Sequence, residues 1–127
     1  MIEVCSDVGG GKTTLIQGIA AGMGFAGEVP SPTFTLSRAY PVRDGLTLHH
    51  FDLYRLNGHD IVTDELDEVA GDPWAVVAVE WAEHGAATLP PDRLRITLTP
   101  GATAELRDIT INGSGPRSAR IIKELSV

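Results

Sequence analysis

Cys5 is the one cysteine in 127 residues, so an internal disulfide is excluded and a cysteine-based metal site has no second sulfur to build on. Basic residues are also scarce, 10 against 17 acidic ones, for a net charge of −7. That balance argues against a broad nucleic-acid-binding face, because such faces cluster Lys and Arg to displace counterions. Any connection to RNA is therefore expected to run through a partner. No apolar run approaches the roughly 20 residues needed to span a bilayer, and no basic stretch precedes an apolar one at the start, as in a secretory leader. Repeats, low-complexity tracts and long linkers are absent too. What remains is a soluble, unexported chain suited to a reducing cytoplasm. Its 43% hydrophobic and 21% charged residues give an ordinary core, and its length suits one α/β domain over residues 1–127, not two.

Glycine is not scarce where the chain begins. Residues 6–14 read S-D-V-G-G-G-K-T-T, directly after the apolar run 1–5. The spacing is that of a phosphate-binding P-loop, with Gly11, Lys12 and Thr13 in the closing positions and Ser6 where the opening glycine usually stands. Glycines at 9, 10 and 11 let backbone N–H groups turn inward around phosphate oxygens, and the following helix offers its positive end to the same charge. Lys12 is placed to reach the β and γ phosphates, and the Thr13 hydroxyl to complete a Mg²⁺ shell. The loop implies a nucleotide with Mg²⁺. A Cβ at Ser6 either strains the tight turn leaving the strand or is accommodated there.

The periodicities predict strand 1–5, helix 12–21 ended by glycines, strands 35–40 and 46–52 joined at Arg43-Asp44-Gly45, and an acidic helix 60–69. A buried strand 75–79, a hairpin 94–99 with 105–111, and a helix 117–125 complete the chain. This mixture is an α/β, P-loop NTPase-like fold: a mostly parallel central sheet carrying antiparallel additions. Glu80 follows its apolar strand where a P-loop protein holds an acidic residue for Mg²⁺. Asp52 closes another apolar stretch and either orients water and metal or caps a helix. In Ser31-Pro32-Thr33-Phe34-Thr35, a hydroxyl could sense the γ phosphate, or the segment could be a Ser-Pro turn. His49 and His50, adjacent on a strand, face opposite sides and are read as strand packing and solvent contact. Arg117, Arg120 and Lys123 recur at helical spacing as a solvated face.

Together, the P-loop with Thr14-Leu15 and Gly18-Ile19, S-P-T-F-T-L at 31–36, H-F-D-L-Y-R-L at 50–56 and V-E-W-A-E at 79–83 resemble the bacterial TsaE (YjeE) family over roughly residues 4–89. The resemblance implies a small P-loop ATPase that works with the TsaD and TsaB proteins in making N6-threonylcarbamoyladenosine at position 37 of tRNA, contacting tRNA only through that complex. TsaD performs the transfer in that family, and ATP hydrolysis by the TsaE-like subunit remodels or resets the assembly. Carried onto this chain, the pattern gives nucleotide binding to Val8, Gly9, Gly10, Gly11, Lys12, Thr13 and Thr14, and Mg²⁺ coordination to Thr13 and Glu80. Thr33 matches the switch-like segment, Asp52 an aspartate important for ATPase activity, and Trp81 a tryptophan close to the nucleotide; simple core packing is the other reading of Trp81. The implied catalytic set is Lys12, Asp52 and Glu80.

The chain departs from the family pattern G-D-L-G-A-G-K-T at Ser6 and at Gly10, where alanine is usual. Relatives also normally carry some tens of residues, including a helix and a strand, before the P-loop strand. Starting at Met1, the chain is short at its N-terminus, as a misplaced start or a true short form, and an exposed sheet edge or face is expected to favour self-association. Two other functions fit a P-loop. A small-molecule kinase needs a basic lid, for which the chain after Glu80 offers only Arg93 and Arg95 before the terminal hairpin. A nucleotide-binding scaffold subunit would dock on its partners without turnover.

Overall fold

The computed structural model describes residues 1–7, 9–27 and 36–126. Its strands and helices follow in the order β1 (Ile2–Cys5), α1 (Lys12–Gly22), β2 (Ser37–Pro41), β3 (Thr47–Asp52), α2 (Ile61–Ala70), β4 (Ala75–Glu80), β5 (Leu94–Pro100), β6 (Arg107–Gly113) and α3 (Pro116–Leu125). Short 3-10 turns occupy Arg43–Gly45 and Ala82–Gly85. The strands form one sheet, β2-β3-β4-β1-β5-β6. The inner four are parallel, while β2 and β6 run antiparallel at the edges. The expected fold class is therefore observed.

Sequence accounts for the layering. The run Ala75-Val76-Val77-Ala78-Val79 has no polar alternation because β4 is covered on both faces, as parallel strands usually are. On one face Val4, Leu48, Ala78 and Leu98 pack with Ile16 and Ala20 of α1. On the other, Phe51, Val77 and Val79 pack with Val62 and Leu66 of α2. Fully burying one such aliphatic or aromatic side chain stabilises by roughly 1.5–3 kcal/mol, so both helices are held by their apolar stripes. The edges are blunted against further pairing by Arg38 and Pro41 on β2 and by Arg107 and Asp108 on β6, residues that discourage strand addition.

Local chemistry sets the ends of the elements. Asp60 caps α2, accepting from the Val62 N–H at 3.2 Å, while the Thr63 hydroxyl accepts from the Asp60 N–H at 3.3 Å, a reciprocal capping arrangement. The Asp-Gly turn is as expected, with left-handed φ at Asp44 (61°) and Gly45 (72°). Strand β6 begins two residues later than the pattern predicts. The chain first closes a turn in which Leu106 N–H reaches Thr103 O at 3.1 Å and Gly101 N–H reaches Leu106 O at 3.0 Å. Helix α3 is capped from a distance: the Asp92 carboxylate accepts from Arg117 N–H, Ser118 N–H and the Ser118 hydroxyl at 2.9, 3.0 and 2.7 Å. A Cβ on Gly115 would come within 2.4 Å of Asp92 Cγ, so this cap requires glycine there.

The parallel core determines where chemistry can gather. All four inner strands point their C-terminal ends the same way, and β1 lies between β4 and β5, the switch point at which such sheets form a crevice. Register pairs Asp52 with Glu80 and Glu80 with Val4. The ends of β3 and β4 and the loop leaving β1 therefore meet at one edge.

Candidate functional site

At that edge the glycine loop turns into α1 with left-handed φ at Gly9 (76°) and Gly11 (95°), values that L side chains rarely adopt. Gly11 is the N-cap of α1 and supplies no side-chain cap, and no acidic residue occupies the first turn. The helix consequently presents unsatisfied N–H groups and an uncompensated positive end to the space above the loop. Ser6 lies outside the left-handed region: among the described residues, non-glycine positive φ occurs at Asp44, Trp81 and Ala86. Its Cβ is thus accommodated without backbone strain. Ser6 does, however, occupy space. A Cβ on Gly10 would lie 2.2 Å from Ser6 Oγ and 2.5 Å from Ser6 Cβ, so the two departures from the usual loop pattern are sterically coupled.

Lys12 folds back over the loop. Its ammonium donates to Ser6 O, Ser6 Oγ and Asp7 O at 3.3, 3.0 and 3.1 Å and lies 4.5 Å from the centre of the Trp81 ring, within cation–π range. Trp81 adopts φ 57°, a conformation that costs a non-glycine residue about 1–3 kcal/mol and is concentrated at functional sites. Its ring meets Tyr54 and His84 at centroid distances of 5.1 and 4.8 Å. Core packing alone therefore does not describe Trp81. The H-F-D-L-Y-R-L and V-E-W-A-E segments are joined by Leu53 N–H to Glu80 O (3.0 Å), and the residues that follow them add Gly58 N–H to His84 O (2.7 Å) and the His84 ring to Tyr54 O (2.6 Å).

The carboxylates complete the cluster. Asp52 starts no helix; its Oδ1 accepts from the Tyr54 N–H at 3.1 Å, and α2 has its own cap in Asp60. Partial burial, and then the neighbouring charge of Glu80, push the Asp52 carboxyl above the ordinary carboxylate range. Two acids side by side in a half-dry site favour a proton or a cation between them. Glu80 is 2% exposed, and its Oε2 lies 2.5 Å from His50 Nε2. His50 is fully buried while His49 is half-buried, the opposite-face arrangement expected of adjacent strand residues; the contact with Glu80 was not part of that expectation. Period-two alternation does put His50 on the same face as Asp52, but the pairing of its strand with the one that ends in Glu80 is not visible in the sequence.

Gly9, Gly10, Gly11, Lys12, Thr13, Thr14, Asp52, Tyr54, Glu80 and Trp81 line a single cleft of about 390 Å³. Tyr54 joins the residues expected there, while Val8 and Thr33 lie outside the described residues. The other face of the loop borders a second cavity, of about 520 Å³, which shares Gly9 and Gly10 and is closed by Leu98, Thr99, Pro100, Thr103 and Arg107. Arg107 donates to Gly10 O at 3.3 Å and to Ala104 O and Leu106 O at 2.7 and 2.8 Å, bracing the loop against the β5–β6 turn; sequence patterning gave no hint of this contact. Thr13, Glu80 and Asp52 supply hard oxygen donors of the kind Mg²⁺ takes. That ion commonly uses one or two carboxylates with phosphate oxygens and water, so a cage of three or more ligating side chains is unnecessary, and none is gathered among the described residues. The glycine cradle, the helix end, the ammonium and these oxygens suit a polyphosphate with its cation.

Comparison with known proteins gives the chain a family. Residues 1–109 match the family described as threonylcarbamoyl adenosine biosynthesis protein TsaE. The tRNA threonylcarbamoyladenosine biosynthesis protein TsaE of Streptomyces coelicolor is 39% identical over 123 residues, covering 94% of this chain and 83% of that protein. Its Bacillus subtilis counterpart is likewise 39% identical over 123 residues, covering 94% and 73%. Among solved structures, Bacillus subtilis YdiB superposes with a TM-score of 0.74 at 33% identity, covering 98% of this chain and 75% of that one. The chain belongs to the TsaE family, which takes part in the biosynthesis of threonylcarbamoyladenosine in tRNA.

Proposed function

We propose that the chain binds ATP with Mg²⁺ and hydrolyses it in the cytoplasm as the ATPase subunit of the threonylcarbamoylation machinery, acting on a TsaD–TsaB assembly and reaching tRNA only through it. The observation carrying this reading is the convergence of the Gly9–Gly11 loop, Lys12, Asp52, Glu80 and Trp81 on one cleft. The loop N–H groups and the α1 terminus bind phosphate oxygens, and Lys12 leaves Ser6 and Asp7 for the β and γ phosphates. Thr13 and Glu80 hold the cation, which neutralises charge developing on the transferred phosphoryl group. Asp52 orients the attacking water, a task suited to a carboxylate made more basic by burial and by Glu80. Trp81 covers the phosphate side of the site. The second cavity gives a nucleoside the apolar surface of Leu98 and Pro100 and the hydroxyls of Thr99 and Thr103. Thr33 is the switch residue of the 31–35 segment, and Val8 belongs to the nucleotide-binding P-loop sequence. The net charge of −7 favours protein partners over direct tRNA contact.

A scaffold that docks without turnover is the second reading. It is favoured by the hold of Ser6 and Asp7 on Lys12, three oxygens that compete with phosphate for one ammonium. Phosphate release from ATP, measured with and without TsaD and TsaB, separates the two. Stimulated release that falls on the order of 10²-fold or more in Lys12→Ala supports the ATPase. Nucleotide-independent docking with no release supports the scaffold, and phosphate appearing on a metabolite supports a kinase.

A further inference from the structure

His50 is a buried titratable side chain that the proposed chemistry leaves unused. It sits on β3 between Leu48 and Phe51 of the core, all at 0% exposure, where an aliphatic residue would fill the space without the cost of burying an imidazole. Its Nδ1 is buried and has no hydrogen-bond partner among the described residues, whereas its Nε2 lies 2.5 Å from Glu80 Oε2. A proton on Nδ1 would be an unpaired buried donor, costing more than an unpaired acceptor lone pair in the same place. The arrangement therefore assigns a hydrogen to Nε2, donating to Glu80 Oε2.

Glu80 ends its strand at 2% exposure and still lines the cleft. A carboxylate so placed can turn about its terminal torsion, and a directed donor from the neighbouring strand removes that freedom. Register supplies the direction: His50 pairs with Ala78, two residues before Glu80, so both side chains rise from the same face of adjacent strands.

We propose that His50 is a positioning residue for the cation site: its Nε2–H holds one oxygen of Glu80 and so commits the other to the metal or its water. This rests on the reading of Glu80 as the cation-holding carboxylate. Partners of ligating groups typically change metal affinity by about 10–100-fold when removed. The structural alternative, a histidine that merely fills the core, predicts lost stability with no selective effect on the cation.

The test is equilibrium binding of ATP to the full chain by calorimetry at pH 7.5, in Mg²⁺ and in EDTA, for wild type, His50→Leu and His50→Gln, each with its melting temperature. The glutamine amide nitrogen reaches about as far as imidazole Nε2 and keeps a donor; leucine keeps only volume. The expected result is that His50→Leu cuts the Mg²⁺-dependent gain in affinity about tenfold or more while affinity in EDTA stays within about twofold, and that His50→Gln restores most of the gain. If His50→Leu does not fold, His50→Asn replaces it, since its shorter amide matches Nδ1 and falls short of Glu80. The positioning role is overturned if the donor-less variant keeps the Mg²⁺ gain, if His50→Gln is no better, or if affinity falls equally with and without Mg²⁺. Wild type lacking any Mg²⁺ gain would instead overturn the cation-site reading, and this inference with it.

Discussion

Alanine at position 10 should be harmful in this chain and much less harmful once Ser6 is glycine. An added methyl at Gly10 would stand 2.2 Å from Ser6 Oγ, 2.5 Å from Ser6 Cβ and 2.9 Å from Asp7 O, where carbon contacts prefer about 3.5–4.0 Å. Turning Ser6 aside does not relieve this cheaply, because Oγ accepts from Lys12 at 3.0 Å and donates to Asp7 O at 2.8 Å. Overpacking of this kind costs about 1–3 kcal/mol. Ser6→Gly removes the obstructing atoms and those two hydrogen bonds, each contributing about 0.5–1.5 kcal/mol at most. In the double variant only the Asp7 O contact remains, and alanine recovers about 0.4–1 kcal/mol by restricting the unfolded chain. The cycle should therefore show a favourable coupling of about 1–3 kcal/mol, read from urea denaturation of the four proteins at one temperature. Gly10→Ala alone should also weaken ATP binding, because the displaced Ser6 carries Lys12 with it. If the two single effects add to the double within about 0.3–0.5 kcal/mol, Ser6 and Gly10 are independent and the steric argument fails.

Two pH-linked outcomes follow from the carboxylates. Asp52 has a folded-state pKa raised by burial and by Glu80; its ionised form therefore destabilises the apo fold above the unfolded value, and the penalty disappears as pH falls through the folded value. Asp52→Asn should melt higher than wild type at pH 7, with the gap closing in acid, yet lose ATP turnover; a lower melting temperature at pH 7 would contradict this. Asp92 is the opposite case, held below the ordinary carboxylate range chiefly by the Ser118 hydroxyl and then by the Ser118 and Arg117 N–H groups. Its contribution is complete above the unfolded value and is lost as pH drops through the folded one. Asp92→Ala should accordingly melt lower than wild type at neutral pH and converge with it in strong acid, while a difference constant across that range would rule out the cap as its source.

The parallel core was legible because β4 is five apolar residues followed by Glu80, and the glycine loop declares the strand and helix on either side of it. Asp52 was ambiguous because one Asp after an apolar strand suits a cap as well as a site. Only register, which sequence does not display, puts it beside Glu80. The same lack of register hid His50: two adjacent histidines read as a strand pair, and the carboxylate that engages one of them is 30 residues away. Arg107 was less visible still, since its contact with Gly10 spans 97 residues. The strand predicted to begin at 105 starts at Arg107 instead because local turn hydrogen bonds outcompete extension of the hairpin.

The contact between Lys12 and Trp81 bears on the energetics of ligand capture. An ammonium on an open loop is wrapped in water that an arriving anion must strip away, but here the lysine is 6% exposed and its solvation shell is already the loop oxygens and an indole face. Folding has performed the dehydration in advance, so an incoming phosphate exchanges one set of protein contacts for another. The strength of that exchange depends on how firmly Ser6, Asp7 and the Trp81 ring grip the nitrogen, which makes the loop itself the competitor that any anion must displace.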